Sequence, residues 1–291
     1  MIGIGVDSFS YHRFFGEFTP WEKPLDTRWT TEDFLARASA LGVRRVSLQT
    51  VYLPEPTAET VAALRDGLAR HQLQPTLAWG HRSGLEGGAS PEKVEAMRAW
   101  LPAARTLGCS VMRVTCGDQT YWRIPASERI ARLTPILDAI AREAADYGLT
   151  VAVENHADFS MGDLVTLVDR VGADKLGICF DSGNAVRVGD DLLEAAALAA
   201  KHVKMVHLKD MIVVESSRGD PAAWWPSAPL GRGQFDLPAL IALLAKADFD
   251  GTLFIEMTNM HPDWADEDAA VAESVRYLRR LLSGETGAVL S

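Results

Sequence analysis

The sequence predicts a (β/α)8 TIM barrel, an α/β fold in which eight parallel strands alternate with eight helices. Short β-branched or apolar runs alternate with longer amphipathic runs along the whole 291-residue chain, which indicates a parallel sheet. The length suits a barrel in one piece, and we expect a single domain over residues 1–291. An open doubly wound sheet is the alternative. It commonly carries a Gly-rich phosphate loop, but Gly3-Ile4-Gly5 lacks the third glycine.

The short apolar runs are expected to form the strands and the amphipathic runs the helices. The strands are expected at residues 2–6, 45–48, 74–79, 111–115, 150–154, 176–181, 203–207 and 252–256. The helices are expected at residues 31–41, 58–71, 91–107, 127–147, 162–171, 192–200, 237–247 and 267–282. Ser90-Pro91 supplies an N-cap followed by proline, and Leu107-Gly108 supplies a helix-ending glycine. The long irregular segment 211–233 is expected to carry function or to be disordered.

The composition argues against several classes of protein. The formal net charge is −10 at pH 7 and no basic patch stands out, so neither nucleic acid nor an anionic membrane surface is an expected partner. The N-terminus lacks the pattern of a signal peptide, and no apolar run reaches the ~18 residues of a membrane span. Cys109, Cys116 and Cys179 lack CxxC spacing and are expected to be small buried side chains. These features together predict a cytoplasmic protein.

Four successive strands of the second half end in a metal-binding type of residue. Glu154 follows Val151-Ala152-Val153, Asp181 follows Ile178-Cys179-Phe180, His207 follows Lys204-Met205-Val206, and Glu256 follows Leu253-Phe254-Ile255. A charge buried at a strand end is unfavourable unless it is paired or bound to metal. In a barrel these positions converge on the C-terminal mouth, where active sites of this fold lie. One such residue is often a helix N-cap or a salt-bridge partner, but four together favour a shared site.

Three carboxylates and one imidazole form a mostly hard, oxygen-rich set of ligands. Such a set suits Mn²⁺, Mg²⁺ or Co²⁺ in a six-coordinate arrangement that leaves room for substrate oxygens or water. Zn²⁺ is also compatible, although it often prefers more nitrogen or sulfur ligands. We therefore expect a divalent metal, with Mn²⁺ favoured.

Five motifs in the second half extend this pattern. They are Val153-Glu154-Asn155-His156, Cys179-Phe180-Asp181-Ser182-Gly183-Asn184, Val206-His207-Leu208-Lys209-Asp210, Pro229-Leu230-Gly231-Arg232-Gly233 and Asp250-Gly251-Thr252-Leu253-Phe254-Ile255-Glu256. In these motifs the chain resembles the sugar phosphate isomerase/epimerase family of the xylose isomerase-like barrel superfamily. That superfamily includes ketose 3-epimerases, hydroxypyruvate isomerases, inosose dehydratases and endonuclease IV. The resemblance implies that Glu154, Asp181, His207 and Glu256 are metal ligands and that the two glutamates double as catalytic acid and base.

One position departs from the family pattern. Family members often carry histidine three residues after the aspartate, where this chain has Asn184. Asparagine can hydrogen-bond a substrate hydroxyl but cannot titrate. This difference and the acidic net charge argue against the three-zinc nuclease arrangement.

The expected reaction begins at a carbon beside a carbonyl group. A metal that chelates the carbonyl and its neighbouring hydroxyl acidifies the C–H by stabilising an enediolate. One glutamate then removes the proton and the other returns it, so the chain is expected to isomerise or epimerise a small polyhydroxy ketone or aldehyde. The alternative is a dehydratase of an inosose or dehydroshikimate-like substrate. A binding barrel without catalysis is a third reading, which the intact set of four ligands disfavours.

Six further residues are candidates for binding the carbohydrate substrate: His12, His81, His156, Asn184, Lys209 and Arg218. The histidines follow strands that end at the mouth, and Lys209 points into it if strand alternation continues two residues past His207. Trp122 and the pair Trp224-Trp225 are expected to wall the pocket or to form a subunit contact. A homo-oligomer is compatible with a subunit contact formed by these tryptophans.

Overall fold

A computed structural model describes residues 1–19, 22–81, 83–214 and 225–284 of the chain. Its strands are β1 (Gly3–Asp7), β2 (Arg45–Gln49), β3 (Gln74–Trp79), β4 (Val111–Thr115), β5 (Thr150–Glu154), β6 (Leu176–Asp181), β7 (Val203–Leu208), β8 (Asp210–Met211), β9 (Ser227–Ala228) and β10 (Thr252–Ile255). The eight longer strands close a barrel in the order β1-β10-β7-β6-β5-β4-β3-β2, and every pairing between them is parallel. The predicted (β/α)8 barrel is confirmed.

Helices surround the barrel on its outer face. They are α1 (Thr31–Ala40), α2 (Ala58–Arg70), α3 (Pro91–Arg98), α4 (Leu101–Thr106), α5 (Ala126–Asp146), α6 (Met161–Val171), α7 (Ser182–Arg187), α8 (Leu192–Ala199), α9 (Leu237–Lys246) and α10 (Glu267–Ser283). A large cluster of buried apolar side chains lies between strands and helices, and it includes Ile178 and Val206 from the strands. No helix within the described ranges is long and apolar enough to cross a membrane.

A smaller apolar cluster fills the barrel interior. It consists of Ala152, Cys179, Met205 and Phe254, all at most 1% exposed. Gly5 makes room for this layer, because a Cβ there would lie 2.5 Å from the ring of Phe254. Packed side chains therefore occupy the inside of the barrel, as in other barrels of this size.

Four local predictions were wrong or incomplete. The helix expected at 91–107 is two helices, α3 and α4, because Pro102 has no N–H to continue the hydrogen-bond ladder. Helix α7 was not predicted; the Asp181 side chain caps it by accepting a hydrogen bond from Asn184 N at 2.8 Å. The segment 211–233 is not wholly irregular, since β8 pairs antiparallel with β9. Glu256 lies one residue beyond the end of β10.

Asp210 holds the chain that returns from β9 toward α9. Its buried carboxylate accepts hydrogen bonds of 2.9–3.1 Å from the backbone N–H groups of Met211, Gly231, Gly233 and Phe235. Gly233 has to be glycine, because a Cβ there would lie 2.0 Å from Oδ1 of Asp210. One side chain thus fixes the loop that closes the mouth beside β7.

We expect Asp210→Asn to destabilise the fold by about 2–4 kcal/mol. One carboxylate oxygen becomes an NH₂ group that faces backbone donors, so buried N–H groups lose their acceptor. Urea unfolding followed by circular dichroism measures the change. Asp250→Asn, at an exposed position, is the control and should lie within ~0.5 kcal/mol of wild type. Equal stability of both variants would contradict this role for Asp210.

Candidate active site

The four residues at the strand ends meet at the C-terminal mouth of the barrel. One ligand atom from each of Glu154, Asp181, His207 and Glu256 lies within 4.8 Å of the others. The register explains part of this approach, because Asp181 on β6 pairs directly with His207 on β7. All four residues are at most 4% exposed. The barrel therefore brings together residues that are far apart in sequence.

His207 lies at the centre of this group. Its Nδ1 contacts Oε2 of Glu256 and lies 3.5 Å from Oε2 of Glu154. Its Nε2 lies 3.4 Å from Oδ2 of Asp7, the last residue of β1. None of these nitrogen and oxygen atoms makes a hydrogen bond of good geometry within the described part of the chain. The cluster thus holds several buried polar atoms that are in ion-pair contact but make no hydrogen bond of good geometry.

A chain of buried polar side chains joins two of these residues through the barrel interior. Oδ1 of Asp7 accepts a hydrogen bond of 3.1 Å from Gln49, and Gln49 accepts one of 3.2 Å from Arg113. Nε of Arg113 in turn lies 2.7 Å from Oε2 of Glu154. His207 contacts both ends of this chain, Asp7 and Glu154, so the contacts form a closed ring. Such a ring restricts how both residues can turn.

Lys209 supplies a second buried cation on the other side of the cluster. Its Nζ contacts Oδ2 of Asp181 and lies 3.3 Å from Oε2 of Glu256. The lysine is 2% exposed, so its ammonium group is held among the carboxylates. Asn184 Nδ2 donates a 3.1 Å hydrogen bond to Oε1 of Glu154.

Burial and neighbouring charges act in opposite directions on the acids. Burial alone would raise the pKa of Glu154, but the positive charges around it, of which Arg113 has the largest effect, together outweigh burial and the pKa lies below its ordinary value. Burial also opposes ionisation of Glu256, yet His207, Lys209 and Arg113 together bring its pKa well below the usual range. For Asp181 burial prevails and raises the pKa. The charge state of the cluster therefore depends on the cations held beside it.

Cys179 belongs to the apolar layer inside the barrel and lies directly against the acids. It pairs with Glu154 across β5 and β6, and its sulfur lies within 4.8 Å of ligand atoms of Glu154 and His207. Burial raises the pKa of its thiol to about 11. The expectation that all three cysteines are buried is confirmed, although Cys179 also lies against the site.

A cavity of about 350 Å³ opens above the cluster. Its lining includes Glu154, Glu256, Lys209, Asn184, Arg187, His156, Ala157, Thr258, Gln119 and the rings of Phe9, Trp122 and Trp225. A larger funnel of about 710 Å³ lies at the other end of the barrel, among the starts of the strands. Barrel active sites lie at the C-terminal ends of the strands, so we assign the smaller cavity as the candidate site.

Three of the six residues expected to bind substrate line this cavity. They are His156, Asn184 and Lys209. Nδ1 of His156 lies 2.9 Å from the carbonyl oxygen of Gly117, which fixes the ring. Arg218 lies outside the described residues, as does Trp224.

His12 and His81 lie behind the cavity wall instead. Nε2 of His12 lies 3.0 Å from Oε1 of Glu22, and Nε2 of His81 lies 2.7 Å from Oε1 of Glu17. Both imidazole rings contact the ring of Phe9, with centroids 5.0 and 5.6 Å away. The two histidines therefore hold Phe9, which itself faces the cavity.

Sequence reasoning missed Asp7, Gln49 and Arg113. Asp7 ends β1 as the four expected ligands end their strands, and that signal was available in Ile4-Gly5-Val6-Asp7. Arg113 stands within the apolar run Val111-Met112-Arg113-Val114. A charge inside such a run predicts a buried partner, but the sequence does not say which residue it is.

The chain matches the family described as xylose isomerase-like TIM barrel over residues 35–281. It is 22% identical to inosose dehydratase of Geobacillus kaustophilus (strain HTA426) over 281 residues, covering 88% of this chain and 86% of that protein. Three other curated relatives match over only 29%, 54% and 45% of their own lengths.

Solved structures share the fold across nearly the whole chain. A structure of L-ribulose 3-epimerase superposes with a TM-score of 0.71 at 16% identity and covers 97% of this chain and 95% of that chain. The IOLI protein with a binding zinc atom superposes with a TM-score of 0.73 at 16% identity, covering 97% and 98%. At this identity the likeness concerns the fold.

The buried Arg113–Glu154 pair can be tested in metal-free protein. We expect Arg113→Met to destabilise the fold by about 3–5 kcal/mol, because it leaves the Glu154 carboxylate buried without its cation. The double variant Arg113→Met/Glu154→Gln should recover much of that loss, and urea unfolding in the presence of a chelator measures the coupling.

The matched control is Arg98→Met. Arg98 pairs with Glu95 and Glu143, which are 70% and 38% exposed, so the loss should stay below ~1 kcal/mol. Additive effects of the two substitutions at Arg113 and Glu154 would show that the pair is not coupled.

Proposed function

The chain belongs to the xylose isomerase-like TIM barrel family, and we propose that it is a divalent-metal-dependent isomerase or epimerase of a small polyhydroxy ketone or aldehyde. One observation carries the proposal. Two glutamates, an aspartate and a histidine share one buried cluster, and this cluster forms part of the floor of a cavity. Buried acids at the mouth of a barrel indicate a site for chemistry rather than for stability.

The charges of the cluster fit a divalent cation. The directly linked ionisable side chains are the carboxylates of Asp7, Glu154, Asp181 and Glu256 and the cations of Arg113 and Lys209. When His207 is neutral, as a metal ligand has to be, four negative and two positive charges leave two negative charges among side chains that are at most 4% exposed. Unbalanced buried charge is strongly unfavourable. One divalent ion would neutralise it.

The donor atoms also fit. Oε2 of Glu154, Oε2 of Glu256 and both nitrogens of His207 lack hydrogen bonds of good geometry within the described ranges. Glu154, Asp181, His207 and Glu256 would hold the ion through three oxygens and one nitrogen, a set that favours Mn²⁺, with Mg²⁺, Co²⁺ and Zn²⁺ also compatible. The zinc atom in the name of the IOLI structure supports a divalent ion at this kind of site.

Bound there, such an ion would polarise a substrate carbonyl and stabilise negative charge on its oxygen. The protein's own groups then move the proton. Glu154 and Glu256 come from β5 and the end of β10, and each presents an Oε2 atom to the same imidazole nitrogen. One carboxylate removes the proton beside the carbonyl and the other returns it. Which glutamate acts as the base depends on which epimer is bound.

Neighbouring groups prepare the two carboxylates for this task. Arg113 keeps Glu154 ionised, and the hydrogen bond from Asn184 orients it. Lys209 lies beside Glu256 and also lines the cavity, where it can stabilise an anionic substrate oxygen. His156 and Asn184 are placed to bind substrate hydroxyl groups.

A dehydratase is the second candidate, and the similarity to inosose dehydratase over 88% of the chain favours it. Its first step removes the same proton. The carbanion then expels a hydroxyl group from the next carbon as water instead of being reprotonated. The same two glutamates serve both reactions, so the product decides between them.

We expect chelation to lower the melting temperature and abolish activity, and Mn²⁺ or Co²⁺ to restore both. An ion that binds only the folded state stabilises it by ~2.7 kcal/mol at 100 times its Kd. His207→Ala and Asp181→Ala should each weaken Mn²⁺ binding at least tenfold by calorimetry. His71→Ala, at the end of α2, is the control and should not. Full activity of protein shown by elemental analysis to be metal-free would refute the metal proposal.

Reaction in D₂O separates the two candidates. We expect a product that carries deuterium and is otherwise unchanged in mass, whereas a dehydratase yields a product lighter by one water. Ketohexoses, ketopentoses, inososes and 3-dehydroshikimate are to be screened by NMR and mass spectrometry. Water loss from any of them without a deuterated isomer would make the lyase the correct assignment.

Glu154→Gln and Glu256→Gln test the proton transfer itself. Each amide keeps an oxygen atom that can bind the metal, but it cannot take up a proton as a carboxylate does. We expect each variant to lose at least 10²–10⁴-fold in turnover while it still binds Mn²⁺ by calorimetry. Turnover near the wild-type rate in either variant would remove that glutamate from the mechanism.

A further inference from the structure

The cavity lining has a polar part and an aromatic part. The polar part contains Glu154, Glu256, Asn184 and Lys209, which belong to the buried cluster or contact it directly. It also includes Gln119, His156, Arg187 and Thr258. The aromatic part consists of the rings of Phe9, Trp122 and Trp225. A substrate that matches this lining has a polar reacting end and a second portion that presents a flat, weakly polar face.

Trp122 is the residue that makes this division informative. Six large apolar side chains are exposed in the described part of the chain, and among them only Trp122, at 52% exposure, lines the cavity. A single exposed apolar side chain is ordinary on a protein surface, but one that lines a cavity can contact a ligand there. The position of Trp122 at the cavity places such a contact beside the reaction site.

The turn that carries Trp122 is anchored. It is a short 3-10 helix, Gln119–Arg123, in which Asp118 accepts a 2.8 Å hydrogen bond from Thr120 N. The adjacent Tyr121 ring packs on Gly117 and Gly87, where an added Cβ would lie 3.0 and 3.1 Å from it. A ring on a fixed turn can contact a ligand with little loss of conformational entropy.

Phe9 is fixed in the same way. It lies against the rings of His12 and His81, and both histidines are held by carboxylates of the segment that follows β1. Two independent supports thus present aromatic rings to one cavity. The cavity volume of about 350 Å³ falls in the range of ~300–1,000 Å³ that holds drug-sized ligands.

We propose that the substrate contains two rings: a sugar that keeps a carbonyl group outside its glycosidic linkage and reacts beside that carbonyl at Glu154 and Glu256, and a second ring, joined to it by a glycosidic bond, that stacks on Trp122. This inference rests on the proposed function, because it assigns the reacting sugar to the same glutamates. The second ring is either another sugar or an aromatic group, since both offer a flat face to an indole ring. A glycoside is therefore the substrate class that fits both parts of the lining.

Calorimetry with Mn²⁺-loaded protein tests the second subsite. The probes are methyl β-D-glucopyranoside with one ring, cellobiose with two sugar rings, and phenyl β-D-glucopyranoside with an aromatic second ring. We expect at least one two-ring probe to bind tenfold or more tightly than the one-ring probe, which corresponds to about 1.4 kcal/mol. The comparison of cellobiose with phenyl β-D-glucopyranoside shows which kind of second ring is preferred.

Variants tie that preference to Trp122. Trp122→Ala should reduce the ratio of two-ring to one-ring affinity to nearly one, and Trp122→Phe should restore part of it. Trp264→Ala is the matched control, because Trp264 is partly buried against His261 and is not among the residues that line the cavity. It should leave the ratio unchanged.

Three results would overturn the subsite. The first is equal affinity for one-ring and two-ring probes, and the second is no detectable binding of two-ring probes up to their solubility limit. The third is an equal loss of affinity for all probes in Trp122→Ala. Deuterium incorporation into free sugars without a ring preference would keep the proposed function and reject the subsite. A Trp122-dependent preference for two-ring probes, without any deuterium incorporation into a sugar carbonyl compound, would keep the subsite and reject the proposed function.

Discussion

Unbalanced negative charge in a closed space is the constraint on which the rest of this structure depends. Glu154, Asp181 and Glu256 lie within 4.8 Å of one another at the barrel mouth, and Asp7 lies just behind His207. Acids this close and this deeply buried repel one another, and water cannot screen them. The protein places Arg113 and Lys209 directly on them. Two negative charges remain after this pairing when His207 is neutral, and they support the proposal that the site binds a divalent cation. The proposed chemistry follows from that remainder.

The barrel makes such a cluster possible because its interior is packed beneath the acids. Cys179, Met205 and Phe254 fill the layer below, and Gly5 leaves room for the phenylalanine ring. A packed floor excludes water, which strengthens every electrostatic contact above it. The ring of contacts through Asp7, Gln49 and Arg113 uses this dry environment to hold the cluster from behind. Rigid support of this kind keeps Glu154 in place and leaves its other oxygen free to face the cavity.

The loops at the mouth have two structural roles. Some are held in place beside the acids, and others shape the cavity. Asp210 fixes the loop beside β7 through four backbone N–H groups, while the segments after β1 and β4 present Phe9 and Trp122. His12 and His81 belong to the first of these supports rather than to the cavity lining. An imidazole whose nitrogen is already engaged by a carboxylate contributes mainly shape and position. These loops place the aromatic residues Phe9 and Trp122 around the polar floor of the cavity, and we propose that they contribute to specificity.

The sequence by itself determined the barrel and the four residues at the ends of its later strands. Short, nearly continuous apolar runs mark the strands, which are buried along most of their length. A charged residue at the end of such a run has to find a partner or an ion. Only the tertiary structure decided that Arg113 pairs with Glu154, that Gln49 links Arg113 to Asp7, and that Glu17 and Glu22 occupy His81 and His12. These pairs are separated by 10 to 64 positions in the chain. Local sequence patterns carry information over a few residues, whereas barrel closure and loop packing set which distant side chains meet.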